Sequence, residues 1–334
     1  MVGAGLAAAP HFQALAELTD VIDMHGVFTR SPEGRAQVAA RWGLPVVARF
    51  EDLLADDAIG ALLVLTPPDQ RRAIAEAAVR AGKAVLMEKP LERDGAAAAH
   101  IVGLFEAAGL PLGVVFQHRF RAGAERLRQL IEDGTLGRIA SVSVEVPWWR
   151  PQSYYDQPGR GSLARDGGGV LITQAIHILD LMLSLTGPVA EVQAMAGTTL
   201  HHMECEDFAA AALRFEGGAL GALMATTTAA PGGAERLVLH CTKAVARIEA
   251  GALRVDYHDG RAEELGLEGG SGSGADPMAF DHGPHRELIR DFAQSVLGAR
   301  ALRVDGQAGL AVQGLIDAIM RSSASGRREQ VKTF

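Results

Sequence analysis

Lys89 and His177 are the two side chains whose type and setting best suit proton chemistry. Lys89 sits in Val85-Leu86-Met87-Glu88-Lys89-Pro90-Leu91, where a short apolar run from Ala84 ends in a carboxylate, an ammonium and a proline. The run reads as a buried strand, because it is brief, apolar and followed at once by a chain-stiffening residue. That puts Lys89 at a strand's carboxyl end, the edge of an open parallel sheet where ligands bind. Taken alone, Glu-Lys-Pro reads more readily as a surface turn with a solvated lysine, and only its context reverses that. His177 follows Asp166-Gly167-Gly168-Gly169 in an apolar stretch. The glycines let backbone approach another group closely. A helix after them carries Thr173, His177 and Asp180 on one side by i, i+4 and i+7 spacing. A lone histidine there also suits a hydrogen-bonded core position.

Two further patterns suit ligand binding. Gly3-Ala4-Gly5-Leu6-Ala7-Ala8 is a Gly-x-Gly-x-x-Ala turn from strand to helix, whose N-terminus can hold a pyrophosphate. Only Met1 and Val2 precede Gly3, so the first strand is clipped or begins upstream. Trp148-Trp149-Arg150 and Tyr154-Tyr155 fall in a Pro- and Gly-rich loop. Aromatics with an arginine suit a sugar or nucleotide, and they equally suit an aromatic rim packed on the domain beneath.

These residues need a frame, and the chain up to Phe116 supplies one by alternation. Strand-like Val21 to Thr29, Val46 to Arg49, Ala61 to Leu65, Ala84 to Met87 and Leu112 to Phe116 are separated by helical stretches. Pro32 to Trp42 is a helix opened by Ser31 and Pro32. Short apolar strands between helices predict an α/β fold with a doubly wound parallel sheet covered on both faces. In that frame the glycine turn precedes the first helix, as a dinucleotide site requires. The second strand ends near Thr29-Arg30-Ser31 with no acid to take a ribose 2'-hydroxyl. Arg30 can instead meet a 2'-phosphate, which favours NADP over NAD, or it is a solvated arginine at a helix start.

Beyond residue 118 the pattern changes. Ile139 to Pro147 alternates Val142, Val144 and Val146 with polar neighbours. Ala190 to Leu200, Cys205 to Phe215, Gly218 to Thr228, Glu235 to His240 and Ala244 to Val255 follow as strands, then a flexible loop from Gly266 to Pro277 and two closing helices. The expectation is a dinucleotide-binding domain, 1–118, and an α+β domain, 119–334, with a large, mostly antiparallel open sheet. Alternation of Ala209, Ala211 and Leu213 with Ala210, Ala212 and Arg214 leaves little solvated face on that sheet. A homodimer or homotetramer built through it is therefore expected.

Composition sets the class. The chain has 334 residues, 48% hydrophobic and 22% charged, with net charge -8. That length favours two domains, and the scattered Lys and Arg give no footprint for nucleic acid. A small-molecule partner is expected. Two cysteines, Cys205 and Cys241, and no export signal point to the cytoplasm. No apolar run reaches the roughly 18 residues of a membrane span.

Taken together, the ordered set Gly3-Ala4-Gly5 with Pro10-His11, Thr66-Pro67-Pro68, Glu88-Lys89-Pro90, Gln117-His118-Arg119-Phe120 and Gly167-Gly168-Gly169 through His177 and Asp180 resembles the Gfo/Idh/MocA family. That family is named for glucose-fructose oxidoreductase, inositol dehydrogenase and the rhizopine catabolism protein. Trp148-Trp149-Arg150 and Thr173 through His177 look most like the branch acting on nucleotide-linked sugars. The resemblance implies a Rossmann domain and hydride transfer between a sugar, cyclitol or nucleotide-sugar carbon and the nicotinamide of NADP or NAD. It implies Lys89 and His177 at the reacting hydroxyl, where either could be the base that oxidation of an alcohol needs. Many relatives carry Asp where Thr173 stands, and Thr173 cannot take a proton at neutral pH. Arg71 stands where many carry His.

The implied cofactor residues are Gly3, Gly5, Leu6 and Ala7 at the turn, and Thr29, Arg30 and Ser31 after the second strand. Thr66, Pro67, Pro68, Gln70, Glu88, Lys89 and Gln117 complete them. The implied substrate residues are His118, Trp149, Arg150, Tyr155, Gln174 and His177, and no metal is implied. The departures at Thr173 and Arg71 and the short first strand motivate a second reading, a catalytically silent dinucleotide-binding or regulatory protein.

Overall fold

The computed structural model describes residues 1–5, 7–266 and 281–332. Leu6 and the expected loop beyond Gly266 lie outside the described residues. The chain forms two units, Met1–Val115 with His282–Leu310, and Phe116–Asp281 with Ala311–Phe334.

In the first unit β1 (Ala61–Val64), β2 (Ala84–Met87) and β3 (Leu112–Val114) pair in parallel, with Val64 opposite Met87 and Met87 opposite Val114. Every residue of β2 is buried, so both of its faces are covered, and this is why its sequence is apolar without alternation. Single bridges extend the sheet: Val2 pairs with Val64 and Phe28, and Val27 with Val46. Numbered along the chain, the six extended segments therefore lie in the order 3-2-1-4-5-6, the arrangement of a dinucleotide-binding sheet.

The second segment is shorter than Val21 to Thr29. The N–H groups of Val21 and Ile22 are spent on the Leu18 carbonyl, so only Val27 and Phe28 reach the sheet. Helices follow their caps. Ser31 Oγ accepts from Gly34 N at the start of Pro32–Trp42, and Asp94 Oδ1 accepts from Ala97 N at the start of Gly95–Ala108.

A division at residue 118 misses that the chain returns to this unit. Helix Gly283–Val296 buries Leu288, Ile289 and Phe292. A Cβ placed on Gly113 would lie 3.0 Å from the Phe292 ring. Arg286 and Arg290 pair with Glu17 (2.7 Å) and Asp20 (2.9 Å) beyond the first helix, Ala8–Ala16. The cause is the apolar stripe of that helix, which needs a partner surface.

The second unit is a nine-stranded sheet. Its strands are β4 (Ile139–Pro147), β5 (Val189–Gly197), β6 (Phe208–Phe215), β7 (Leu220–Thr226), β8 (Arg236–Cys241), β9 (Ala244–Glu249), β10 (Ala252–Tyr257), β11 (Ala262–Leu265) and β12 (Glu329–Gln330). They lie in the order β11-β10-β9-β8-β4-β7-β6-β5-β12, antiparallel throughout except for β4 beside β7. The stretch Ala244 to Val255 is a hairpin rather than one strand, because Ala250 and Gly251, with φ of 48° and 87°, make the turn between β9 and β10. One face buries Val142, Val144, Ala209, Leu213 and Leu223, and the other leaves Met195 80% and Leu220 52% exposed. Among the described residues no helix is long and apolar enough to cross a membrane.

If helix Gly283–Val296 completes the first unit, Phe292→Ala is expected to cost about 3 kcal/mol or more through the cavity it leaves. The measurement is the chemical-denaturation midpoint of the intact chain, and an unchanged midpoint would show that this docking is not structural.

Candidate active site

In the first unit the candidate residues gather at the carboxyl ends of β1 and β2. Gly3 has φ of +94°, and a Cβ there would lie 3.1 Å from Leu65 C and 3.2 Å from Thr66 N, so the turn requires glycine. A Cβ on Gly5 would meet nothing within 4 Å, so its surroundings are open. Open space above a glycine turn that leads into helix Ala8–Ala16 fits a dinucleotide's pyrophosphate. Thr66 Oγ1 is buried with no hydrogen-bond partner among the described residues, as a group awaiting a ligand would be. Pro67 caps the single turn Pro68–Gln70, and Gln70 donates to Asp69. Thr29 Oγ1 donates to Ser31 O, whose own hydroxyl is committed to the helix cap, and Arg30 is exposed.

Lys89 follows β2 directly, and its backbone is braced on two sides. Glu88 Oε2 accepts the Lys89 N–H at 3.0 Å, and Glu88 Oε1 accepts from His11 Nε2 at 2.9 Å. On the other side buried Arg71 donates to Thr66 O (2.9 and 2.7 Å), to Glu88 O, and to Lys89 O at 3.4 Å. One guanidinium thus ties the turns after β1 and β2 together. Burial pushes the Glu88 carboxyl up, but the His11 hydrogen bond and the charges of His11, Lys89 and His285 pull it down to about 2. Burial lowers Arg71 to about 10, which leaves it a cation at neutral pH.

His285 stands edge-on to His11, with ring centroids 5.0 Å apart. Donor atoms of His11, Glu88 and His285 lie within 4.8 Å of one another, close enough for a cation to bridge. The His11 to Glu88 hydrogen bond argues against that use. An ion on His11 Nε2 would move the ring proton to Nδ1, a buried atom with no acceptor among the described residues.

In the second unit His177 stacks on His118 (centroids 4.9 Å apart, 26° between planes), with Phe116 edge-on at 6.1 Å. His118 and Gln117 are buried, and Gln117 Oε1 has no partner among the described residues. Asp180 is fully buried and accepts both arms of Arg119, at 2.7 and 2.5 Å. Burial pushes the Asp180 carboxyl up to about 6, and the Arg119 pair works in the opposite direction.

The helix carrying His177 is not regular. Leu171–Ala175 is a π-type turn and the α-helix proper runs Ile176–Thr186. Thr173 and His177 therefore do not keep the offset that i, i+4 spacing gives in an uninterrupted helix. The Thr173 hydroxyl donates to Gly169 O at 2.6 Å and also touches the side-chain amide of Gln174. The cause lies at Gly169, where a Cβ would sit 1.8 Å from the Glu206 carbonyl oxygen. Glu206 takes Val170 N on its carbonyl, and Gly169 N and Leu171 N on its carboxylate. The glycine run thus exists so that Glu206 can close on it.

The aromatic loop is divided. Arg150 is 2% exposed, donates to Trp149 O at 2.7 Å, and lies over the rings of Trp148 and Tyr154. Tyr155 is 7% exposed and its hydroxyl meets Thr227 Oγ1 at 2.8 Å. Burial raises that phenol to about 12. Trp149 and Tyr154 are half-buried. His201, between Asp207 (3.0 Å) and Arg150 O (2.8 Å), anchors the loop.

Sequence reading passed over His11 as a partner of Glu88, although Pro10-His11 closes the glycine motif. It gave no sign of His285 or His201, whose roles depend on chain folded back from far away.

Two models of one family match the chain. The "Oxidoreductase family, NAD-binding Rossmann fold" model covers residues 1–116, and the "GFO/IDH/MocA C-terminal domain" model covers residues 124–247. An uncharacterized oxidoreductase of Schizosaccharomyces pombe is 28% identical over 62% of this chain and 60% of its own length. Inositol 2-dehydrogenase of Corynebacterium glutamicum is 30% identical over 42% of each chain. The first curated relatives are thus matched over 50–60% of their length. Among solved structures, the WlbA dehydrogenase of Bordetella pertussis, in complex with NADH and UDP-GlcNAcA, superposes with a TM-score of 0.84 and 29% identity over 99% of this chain and 97% of that one.

Glu88 supplies a pH test. Its folded-state value lies below the ordinary 4.5, so its contribution to stability is present above about pH 5 and is lost as pH falls towards 2. Glu88→Gln is expected to lower stability at pH 7 by about 3 kcal/mol and to flatten the dependence below pH 5. Denaturation midpoints measured from pH 3 to 7 check this, and parallel curves for the two proteins would contradict it.

Proposed function

The chain belongs to the Gfo/Idh/MocA oxidoreductase family and carries its NAD-binding Rossmann fold, and from that premise we propose that it transfers hydride between a sugar-like hydroxyl carbon and a nicotinamide. The observation that carries the reading is Lys89 at the end of β2, braced by Glu88 and Arg71. Sugars, cyclitols and nucleotide-linked sugars are the proposed substrate classes. Inositol 2-dehydrogenase and the WlbA complex with UDP-GlcNAcA support that range. The reaction is proposed to run in the cytoplasm, and both Cys205 and Cys241 are free and buried.

When bound, the dinucleotide supplies the hydride acceptor or donor. The chain's residues have the other tasks. Gly3, Gly5 and the helix after them hold the pyrophosphate. Thr66 Oγ1, buried and unpartnered among the described residues, is suited to a polar edge of the cofactor. Exposed Arg30 accommodates either cofactor, since a guanidinium can meet a 2'-phosphate and Thr29-Arg30-Ser31 contains no acid. Oxidation of an alcohol also releases a proton, which a base must take as the hydride leaves. Lys89 is the proposed base, and His177 is the alternative. Thr173, committed to Gly169 O, anchors Gln174 rather than relaying a proton.

Fluorescence titration is expected to show binding of NADH, NADPH or both, and a protein that binds neither would end the proposal. With a substrate found by screening sugars, cyclitols and nucleotide sugars, Lys89→Ala is expected to lose turnover by about a thousandfold, within the usual weight of general base catalysis, with cofactor affinity kept. Retained turnover in that variant, with loss in His177→Ala, would move the base to His177.

A homo-oligomer through the exposed face of the large sheet is proposed alongside, since Met195 and Leu220 stand out of that face. Light scattering at micromolar concentration is expected to give a dimer or tetramer, and Met195→Glu to weaken it. A wild-type monomer would refute this.

A further inference from the structure

His11 is the residue on which the Glu88 carboxylate leans. It is fully buried on helix Ala8–Ala16, directly after the glycine turn. Glu88 is also buried, and its two oxygens have separate duties, Oε1 to His11 Nε2 at 2.9 Å and Oε2 to the Lys89 N–H at 3.0 Å. A carboxylate has only acceptors, so His11 must be the donor and carries its proton on Nε2. Nδ1 is buried with no partner among the described residues.

We propose that His11 is a positioning residue for Lys89, acting through Glu88. With Oε1 held, the carboxylate plane is fixed and Oε2 faces the Lys89 N–H. Without that donor the Glu88 side chain is free to turn and the Lys89 N–H loses its acceptor, while the Arg71 bond to Lys89 O is unaffected. The arrangement also couples the glycine turn to the lysine, because the helix that begins at the cofactor's phosphates carries the histidine that sets the base. The inference rests on the reading of Lys89 as the proton-handling group.

The test separates shape from donor. His11→Phe keeps a planar ring against His285 but cannot donate, whereas His11→Gln places its amide nitrogen where Nε2 lies and can. His11→Phe is expected to lower kcat by about a hundredfold, the cost of misplacing a catalytic group by about an ångström, with KM and NADH affinity little changed. His11→Gln is expected to restore most of the loss. Amide exchange of Lys89, followed by peptide-resolved mass spectrometry, reads the linkage without any substrate. Exchange is expected to quicken by about fivefold in His11→Phe, the equivalent of one ordinary hydrogen bond, and to stay protected in His11→Gln.

Equal loss in both variants would mark His11 as mere packing, and unchanged Lys89 exchange in His11→Phe would overturn the linkage. Should the wild type turn over no substrate, the proposed function fails, and the exchange comparison by itself still decides whether His11 positions Lys89.

Discussion

The Glu88 carboxylate is the point on which the geometry of the first unit's candidate site depends. It is buried, and a buried carboxylate is tolerable only when its lone pairs are met. His11 meets one oxygen and the Lys89 N–H the other. Arg71 meets the carbonyls that surround the same turn. A lysine placed in this way has its backbone fixed at the end of the strand, which sets where its side chain begins. That differs from a surface lysine, whose backbone has no such constraint.

A similar principle orders the second unit. Gly169 lies against the Glu206 carbonyl so closely that any side chain would clash, and the Glu206 carboxylate takes the N–H groups at the start of the helix that carries His177. A backbone that must both receive these bonds and clear the carbonyl opens into a wide turn before becoming an α-helix. At the far side of that helix Arg119 neutralises Asp180, which fixes the chain after Phe116 to the same helix. His118 is thereby delivered as a stacking partner of the His177 ring and Phe116 as an edge-on one. In each unit a buried acid sets the position of a candidate proton carrier by hydrogen bonds to backbone.

The aromatic loop shows where residue type misleads. Its composition suits a sugar site and suits packing equally well, and the structure divides the residues between these roles. Arg150 and Tyr155 are buried and tied to the chain around them, while Trp149 and Tyr154 keep exposed surface. No property of the sequence distinguishes the two tryptophans or the two tyrosines, because the difference comes from which face of a short loop meets the sheet.

The sequence by itself determined the class of each unit and put Glu88 and Lys89 forward as candidates at the end of β2. Period, glycine placement and caps are local properties, and a fully apolar β2 ending in Glu-Lys-Pro can be read without knowing its neighbours. So can the alternation of β4, whose bounds were legible residue for residue. Tertiary structure alone decided what these residues lean on. His11 lies 77 residues from Glu88 along the chain. The helix bearing Phe292 returns to the first unit from near the chain's end, and the Val21 to Thr29 segment yields only two residues to the sheet. A sequence states which side chains can donate, accept or pack, but the geometry that joins a histidine, a carboxylate and a lysine exists only after the strands between them have been laid side by side.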